Sequence, residues 1–194
     1  EGVRVHFIAR EAPTPLIMFT VKSMDLHYGM AVTASHNPAL YNGVKLFTRG
    51  GRDAALEVTG PLGEAASIVA REEIRSVRYE DALAAGLIAE IAPENGYLDA
   101  ILRTLDMDAI RRRNLRIVLD PMYGVSRTSL MTILLTARCD VDVIHERHDA
   151  LFGGRLPSPN AETLGALRAA VTERGADIGI ATDGDADRIG IIDD

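Results

Sequence analysis

Leu115-Arg116-Ile117-Val118-Leu119 is a short, mostly apolar run that predicts a buried β-strand. Two similar runs follow at residues 141–144 and 178–181, and stretches with helical spacing of apolar residues precede each of them, at 124–136 and 161–174. This order of strand, helix, strand, helix and strand predicts a parallel sheet with helices packed on its faces. The end of the third strand, at Asp183, is where open α/β sheets place their ligands.

A domain boundary is predicted upstream of this unit, because Ala92-Pro93-Glu94-Asn95-Gly96 breaks the pattern before a helix that starts near Tyr97. The 194 residues leave room for two small domains, one over residues 1–92 and one over 93–194.

The first of these domains also reads as a mixture of strands and helices. Strands are predicted at residues 3–8, 30–33 and 44–48, with a tight turn at Asn42-Gly43, and a helix is predicted from Thr14 as N-cap to Gly29. Residues 50–63 read as irregular, and helices are predicted at 64–74 and 79–85.

The composition excludes several classes of protein. The 28 acidic residues outnumber the 21 basic ones and give a net charge of −7, so we expect no nucleic-acid partner. Cys139 is the single cysteine, which excludes an internal disulfide and a thiolate zinc cluster. No apolar run approaches the ~20 residues that a membrane span needs, and we expect a cytoplasmic protein without a membrane partner. Because the chain opens at Glu1 and goes directly into a predicted strand, we expect it to be a piece of a longer protein.

The loop Asp183-Gly184-Asp185-Ala186-Asp187-Arg188 predicts a metal site. Three aspartates at alternate positions can converge on one hard cation, and their oxygen ligands suit Mg²⁺. A calcium EF-hand is the alternative. However, an EF-hand loop needs Gly at its sixth position and Glu at its last, where this chain has Arg188 and Asp194, and the flanking segments read as strands. A solvated turn without a ligand also fits the Asp and Gly content. Arg188 favours a site with an anionic ligand.

The loop Thr33-Ala34-Ser35-His36-Asn37-Pro38 supplies a hydroxyl. A serine can carry a phosphoryl group if a cation neutralises the charge on the phosphoryl oxygens, so the two loops together indicate metal-assisted phosphoryl transfer. Alternatively, Thr33 and Ser35 simply cap turns. A hydrolase triad is disfavoured because the Gly-x-Ser-x-Gly elbow is absent. Taken alone, His36 reads as a structural residue and Lys45 as a surface charge; their closeness to Ser35 in sequence makes them candidates.

These two loops resemble those of the α-D-phosphohexomutases, the phosphoglucomutase and phosphomannomutase superfamily. Residues 33–38 with Tyr41-Asn42-Gly43-Val44-Lys45 resemble the phosphoserine loop, and residues 183–188 resemble the metal loop. The intervening segments 120–124 and 154–160 match the family's layout. The resemblance implies an α/β fold of two α/β/α sandwich domains with mixed or mostly parallel sheets, the first truncated at its N-terminus.

The resemblance also implies a role for each matching residue. Ser35 would carry the phosphoryl group, and Asp183, Asp185 and Asp187 would hold Mg²⁺ together with a phosphoserine oxygen. Lys45 and His36 would assist proton transfer, and Arg188 would contact the phosphoryl group. The implied reaction moves phosphate between the 1- and 6-positions of a hexose phosphate through a hexose 1,6-bisphosphate.

Such mutases have four domains, so the remaining domains of the parent chain are expected partners, and the isolated chain is expected to bind Mg²⁺ weakly and to show little or no mutase activity. The identity of the sugar is not predicted. Two other interpretations stay open: a non-enzymatic divalent-metal-binding module and a catalytically silent interaction domain.

Overall fold

The structure is a computed structural model that describes residues 2–193. Two residues named above lie outside this range: Glu1, at which the sequence opens, and Asp194, the last position of the calcium-loop alternative.

The first half of the chain carries two small sheets. Its elements are β1 (Val5–Ile8), α1 (Thr14–Ser23), β2 (Tyr28–Val32), β3 (Val44–Thr48), β4 (Arg52–Asp53), α2 (Leu56–Ile68), a 3₁₀ turn (Arg71–Glu73), α3 (Tyr79–Ala84) and β5 (Ile88–Ile91). Strand β1 pairs with β5 in parallel, whereas β2, β3 and β4 form an antiparallel sheet in that order. Helix α1 covers the antiparallel sheet, where Val21, Ala31 and Phe47 form a buried cluster.

The second half forms one four-stranded sheet. Its elements are α4 (Glu94–Thr104), α5 (Met107–Arg113), β6 (Arg116–Asp120), α6 (Arg127–Thr136), β7 (Asp140–Val143), a 3₁₀ turn (Phe152–Gly154), α7 (Gly165–Arg174), β8 (Ile178–Thr182) and β9 (Ile189–Asp193). The strand order is β7-β6-β8-β9, with β7, β6 and β8 parallel and β9 antiparallel to β8. Val118, Leu167 and Val171 are buried between the sheet and α7.

The predicted parallel unit is confirmed. Its three strands lie where the apolar runs place them, and their carboxyl ends meet at one edge of the sheet, where Asp120 ends β6 and Asp183 directly follows β8. The α/β class with two α/β/α units is likewise confirmed, while the boundary between residues 92 and 93 stays a proposal. None of the helices within residues 2–193 combines the length and the apolar composition of a membrane-spanning segment.

The prediction that the first helix runs to Gly29 is wrong. Helix α1 ends at Ser23, Asp25 adopts a left-handed φ of 52°, and the N–H of Leu26 donates to the carbonyl of Val21, a pattern that closes helix ends. Gly29 lies in β2, where a Cβ would stand 2.3 Å from the Val21 side chain. Glycine is needed there for close packing of the strand on the helix.

The prediction that residues 50–63 are irregular is also wrong. The segment contains β4 and most of α2, which starts eight residues earlier than expected and includes Pro61. The predicted helix at 64–74 instead ends with α2 at Ile68 and is followed by the 3₁₀ turn. Pro61 lies inside α2, where proline removes one backbone hydrogen bond and crowds the carbonyl four residues earlier, so a loop is the prediction that local rules make.

Further differences concern element ends and short elements. Helix α4 starts three residues before Tyr97, α6 starts at Arg127 and α7 at Gly165. Strand β5 and helix α5 lacked a clear sequence pattern and were not predicted.

Candidate active site

The serine loop and the acidic loop meet in space. The serine loop connects β2 and β3, and the acidic loop connects β8 and β9 at the carboxyl end of the parallel strands. Ser35 Oγ lies 3.3 Å from Asp183 Oδ2, although 148 positions separate the two residues in sequence. The two loops therefore form one site.

Asp183 is the innermost carboxylate and is fully buried. Its Oδ1 accepts the backbone N–H groups of Asp187 and Arg188, both at 3.0 Å, which closes the acidic loop around it. Burial raises the pKa of Asp183 to about 6, and the neighbouring charges of Asp185 and Asp187 add to the rise. The loop holds a carboxylate in a place where its negative charge is poorly solvated.

Asp185 is anchored by the first half of the chain. Its Oδ2 accepts the hydroxyls of Thr14 at 2.9 Å and Thr33 at 3.1 Å and the ammonium of Lys45 at 2.8 Å. Burial favours a raised pKa, but the hydrogen bonds from Lys45 and Thr14 outweigh it, so the pKa of Asp185 lies below its usual value. Its Oδ1 is buried and has no hydrogen-bond partner within the described part of the chain.

Lys45 is the cation of the site. Its Nζ contacts Asp187 Oδ2 at 2.5 Å and lies 3.4 Å from Ser35 Oγ. Burial lowers the pKa of Lys45, but its bonds to Asp185 and Asp187 prevail and raise it, so the side chain is a protonated donor in this arrangement.

Ser35 is held in an uncommon backbone conformation. Its φ is 52°, in the left-handed region, and its N–H donates to Thr33 Oγ1 at 2.8 Å. Such a conformation persists in a non-glycine residue only where its surroundings enforce it, and it is frequent at functional sites. Here it aims the Ser35 hydroxyl at Asp183.

The two remaining candidates differ in position. His36 Nδ1 lies 3.3 Å from Ser35 Oγ, so the histidine joins the site. The backbone N–H of Arg188 donates to Asp183. Arg188 is exposed, however, and its side chain makes no ion pair within residues 2–193. The structure thus brings together every predicted site residue except the guanidinium of Arg188.

Glycine permits the contact between the two loops. A Cβ on Gly184 would lie 2.7 Å from the backbone oxygen of Ser35, and a Cβ on Gly124 would lie 2.5 Å from the carbonyl oxygen of Gly184. Neither glycine has a left-handed φ. Both positions require glycine for space.

The acidic loop fits a divalent cation. One carboxylate oxygen each from Asp183, Asp185 and Asp187 lies within 4.8 Å of the other two, and the partnerless Oδ1 of Asp185 leaves a buried lone pair without a donor. Hard oxygen ligands of this kind suit Mg²⁺. The strands β8 and β9 on either side of the loop confirm that it is not an EF-hand, whose loop joins two helices.

One contributor to the site was missed by sequence reasoning. Thr14 was predicted to cap its own helix, but Pro13 occupies the cap position and the Thr14 hydroxyl donates to Asp185 instead. The backbone N–H of Thr14 also donates to the Asp185 carbonyl at 2.9 Å. The sequence signal was indirect: the N–H groups that open a helix lack partners within it and bind acceptors from elsewhere.

Comparisons with known proteins point to one family. The family model for phosphoglucomutase/phosphomannomutase, alpha/beta/alpha domain II, matches residues 95–194, and the one for domain I matches residues 1–67. The phosphoglucosamine/phosphogalactosamine mutase of Sulfurisphaera tokodaii is 30% identical over 186 residues, which cover 94% of this chain and 39% of that relative. The phosphoglucomutase/phosphomannomutase of Thermococcus kodakarensis is 32% identical over 186 residues, with the same two shares.

A solved structure shows the same fold. A protein from Thermus thermophilus, assigned as a phosphomannomutase, superposes with a TM-score of 0.83 and 29% identity, over 98% of this chain and 42% of that one. The chain thus spans about two fifths of the length of its relatives. From these matches and the two meeting loops, the chain belongs to the phosphoglucomutase/phosphomannomutase family, within the α-D-phosphohexomutase superfamily, and carries its domains I and II.

Proposed function

We propose that this chain is the phosphoryl-carrying part of a phosphohexomutase, in which Ser35 accepts and returns a phosphoryl group between the 1- and 6-positions of a hexose. The contact between Ser35 Oγ and Asp183 Oδ2, at 3.3 Å, carries the proposal, because it joins a nucleophile to a carboxylate cluster suited to a divalent cation. The whole protein's substrates are then a hexose phosphate and a hexose 1,6-bisphosphate.

Each half-reaction transfers one phosphoryl group. When the enzyme is phosphorylated, the Ser35 oxygen forms a bond to phosphorus and the bond from phosphorus to the sugar oxygen breaks. The Ser35 proton passes to the sugar oxygen, which becomes a hydroxyl. When phosphoserine returns its phosphoryl group, the same steps run in reverse toward the other sugar position. A single phosphoryl site serves both directions, so the residues around Ser35 act as donor in one direction and acceptor in the other.

Lys45 and His36 are placed to handle the proton. The Nζ of Lys45 and the Nδ1 of His36 lie 3.4 Å and 3.3 Å from the Ser35 oxygen. Both are near the range of direct hydrogen bonding to the reacting atom, as a general acid or base requires. We assign Arg188 to the phosphoryl oxygens, because its guanidinium is exposed beside the loop and free to turn toward an anion.

Asp183, Asp185 and Asp187, with an oxygen of the Ser35 phosphate, would hold Mg²⁺. A bound Mg²⁺ neutralises charge on the phosphoryl and serine oxygens. Thr14, Thr33 and the backbone N–H groups of Asp187 and Arg188 keep the carboxylates in place without displacing the ion.

Phosphopeptide mapping tests the proposal. The full-length parent protein is incubated with a hexose 1,6-bisphosphate and MgCl₂, and we expect one phosphoryl group on Ser35, absent in Ser35→Ala and retained in the matched variant Ser129→Ala. Phosphate on another residue, or none on Ser35, contradicts the proposal.

Metal selectivity separates this function from the two alternatives. A non-enzymatic module predicts calcium-selective binding that is independent of Ser35. A silent interaction domain predicts that Asp185→Asn leaves both metal binding and Ser35 phosphorylation of the full-length parent unchanged. The mutase proposal predicts loss of both in Asp185→Asn.

A further inference from the structure

We propose that Asp120 and His145 are positioning residues of the metal loop: they hold a strained turn that fixes the backbone of Gly184, and thereby the spacing of Asp183 and Asp185. This inference rests on the proposed function, because it concerns the Mg²⁺ affinity of the same site. Both residues act through the backbone of the turn and not by contact with the carboxylates of Asp183 and Asp185.

Asp120 and His145 form a pair at the ends of neighbouring parallel strands. Asp120 ends β6 and is 1% exposed, and His145 follows β7 by two residues. His145 Nδ1 lies 3.1 Å and 3.0 Å from the two carboxylate oxygens of Asp120. An ionised carboxylate only accepts hydrogen bonds, so Nδ1 is the donor.

This pair holds a turn with two successive left-handed residues. Met122 and Tyr123 have φ of 49° and 62°, which is unfavourable for side chains of this size. The N–H of Met122 donates to Asp120 Oδ1 at 2.8 Å, and the N–H of Tyr123 donates to the His145 carbonyl at 3.0 Å. The Tyr123 and His145 rings pack with their centres 5.0 Å apart. Strained backbone persists where surrounding contacts enforce it, and Asp120 and His145 supply those contacts.

The strained turn leads directly to the metal loop. The next residue, Gly124, packs against Gly184, and the N–H of Val125 donates to the Gly184 carbonyl at 3.2 Å. On the other side, the N–H of Gly184 donates to the Pro157 carbonyl at 3.2 Å. Both peptide groups of the residue between Asp183 and Asp185 are therefore fixed from outside the loop.

A second contact to the strand before the metal loop is made by the residue that follows Val125. Ser126 Oγ and Thr182 Oγ1 are 2.7 Å apart and buried, so the segment after the strained turn is also fixed to the residue before Asp183. If the Asp120–His145 pair is lost, the turn relaxes toward ordinary backbone angles and Gly124 and Val125 shift against Gly184. We expect the carboxylates to lose their preorganised spacing and Mg²⁺ affinity to fall by about tenfold or more, as for other residues that orient metal ligands.

Calorimetric titration of the full chain with MgCl₂ alone tests this inference. His145→Ala removes the donor, whereas in His145→Asn an amide N–H can take the place of Nδ1 and is expected to preserve affinity. His148→Ala is the matched control, since His148 is an exposed histidine whose side chain is 74% accessible. Circular dichroism tests whether each variant is folded. If His145→Ala does not fold, the Mg²⁺ affinity of the nearly isosteric Asp120→Asn, measured in the same titration, decides whether the inference holds.

The supporting result is weaker Mg²⁺ binding in His145→Ala and Asp120→Asn, with wild-type binding in His145→Asn and His148→Ala. A purely structural histidine would lower the melting temperature without changing the affinity of the folded protein, and that result overturns the inference. Absence of Mg²⁺ binding in the wild-type chain overturns the proposed function itself, and is thus distinguishable from a failure of the positioning role.

Discussion

Lys45 balances the charge of the carboxylates in the site. Its ammonium pairs with Asp185 and Asp187, and its side chain is 28% exposed. A divalent cation on the same carboxylates competes with these ion pairs and repels the ammonium. We therefore propose two opposing effects of Lys45, assistance to proton transfer and competition with the metal.

Replacing Lys45 separates these effects. In Lys45→Met we expect Mg²⁺ to bind about threefold to tenfold more tightly, equivalent to roughly 1 kcal/mol of ion pairing removed from the metal-free state. We expect Ser35 phosphorylation to slow in the same variant. Lys22→Met, at an exposed position on α1, is the control and leaves both unchanged. Weaker Mg²⁺ binding in Lys45→Met would show that the lysine supports the ion instead of competing with it.

Asp183 makes the stability of the metal-free chain depend on pH. Its pKa is raised to about 6 from 3.8, so between these values the folded state binds a proton more tightly than the unfolded state. Stability contributed by this group is therefore present at low pH and is lost as pH rises through this window. Urea unfolding in EDTA measures it.

The matched comparison is Asp183→Asn, which does not titrate. The free energy of unfolding of the wild type minus that of Asp183→Asn is expected to fall between about pH 4 and pH 7. A difference that rises with pH would mean that Asp183 is stabilised as a carboxylate in the metal-free fold.

Residue types and spacing predicted most of the site. Ser35 and the three aspartates could be singled out because their two loops together resemble those of the α-D-phosphohexomutases, whereas each loop alone also fits an ordinary turn. Thr14 could not be found in this way, because its partner Asp185 lies 171 positions away and a threonine before a proline is common at helix starts. The exposed direction of the Arg188 side chain was also beyond sequence, since it depends on which backbone groups close the loop.

At the scale of elements, the loop between β8 and β9 packs closely against the backbone of the serine loop. Gly184→Ala places a Cβ 2.7 Å from the Ser35 backbone oxygen, a distance that forces the two loops apart. We expect this variant to lose about 1–3 kcal/mol of stability and most of its Mg²⁺ affinity, because overpacking strains the backbone. Thermal unfolding and titration with MgCl₂ measure the two effects.

Gly63→Ala is the matched control for that prediction. Gly63 lies within α2 with nothing within 4 Å of the added Cβ, so alanine is expected to be neutral or to stabilise by about 0.5–1 kcal/mol. Equal effects of the two substitutions would show that the contact between the loops is unimportant.

Elements with one strong periodicity were predicted, and those that depend on tertiary contacts were not. Strands β6 and β8 are nearly continuous apolar runs, as a strand covered on both faces requires. Helix α2 contains Gly60, Pro61 and Gly63, which local rules assign to a loop. Gly29 predicts a helix end from local sequence alone, because sequence does not reveal that α1 and β2 pack closely at that position.

At the scale of the whole molecule, the chain corresponds to only part of its relatives, and we expect this to limit its activity when it is isolated. The chain spans 39% of the length of the Sulfurisphaera tokodaii and Thermococcus kodakarensis relatives. We propose that the remaining part of such a protein completes the sugar site, so the 194-residue chain alone is expected to bind Mg²⁺ weakly and show little or no mutase activity. A coupled assay of sugar-phosphate interconversion measures this, and a rate typical of an intact mutase would contradict it.

The central claim is that Ser35 and the three aspartates share one ion. Anomalous diffraction from crystals of the chain soaked in Mn²⁺, which takes the same oxygen ligands as Mg²⁺, tests it most directly. The account predicts a peak enclosed by Asp183, Asp185 and Asp187, with the Ser35 oxygen or its phosphate within coordination distance, about 2.0–2.3 Å. An ion bound elsewhere, or one held by the aspartates with the Ser35 oxygen out of reach, would contradict it.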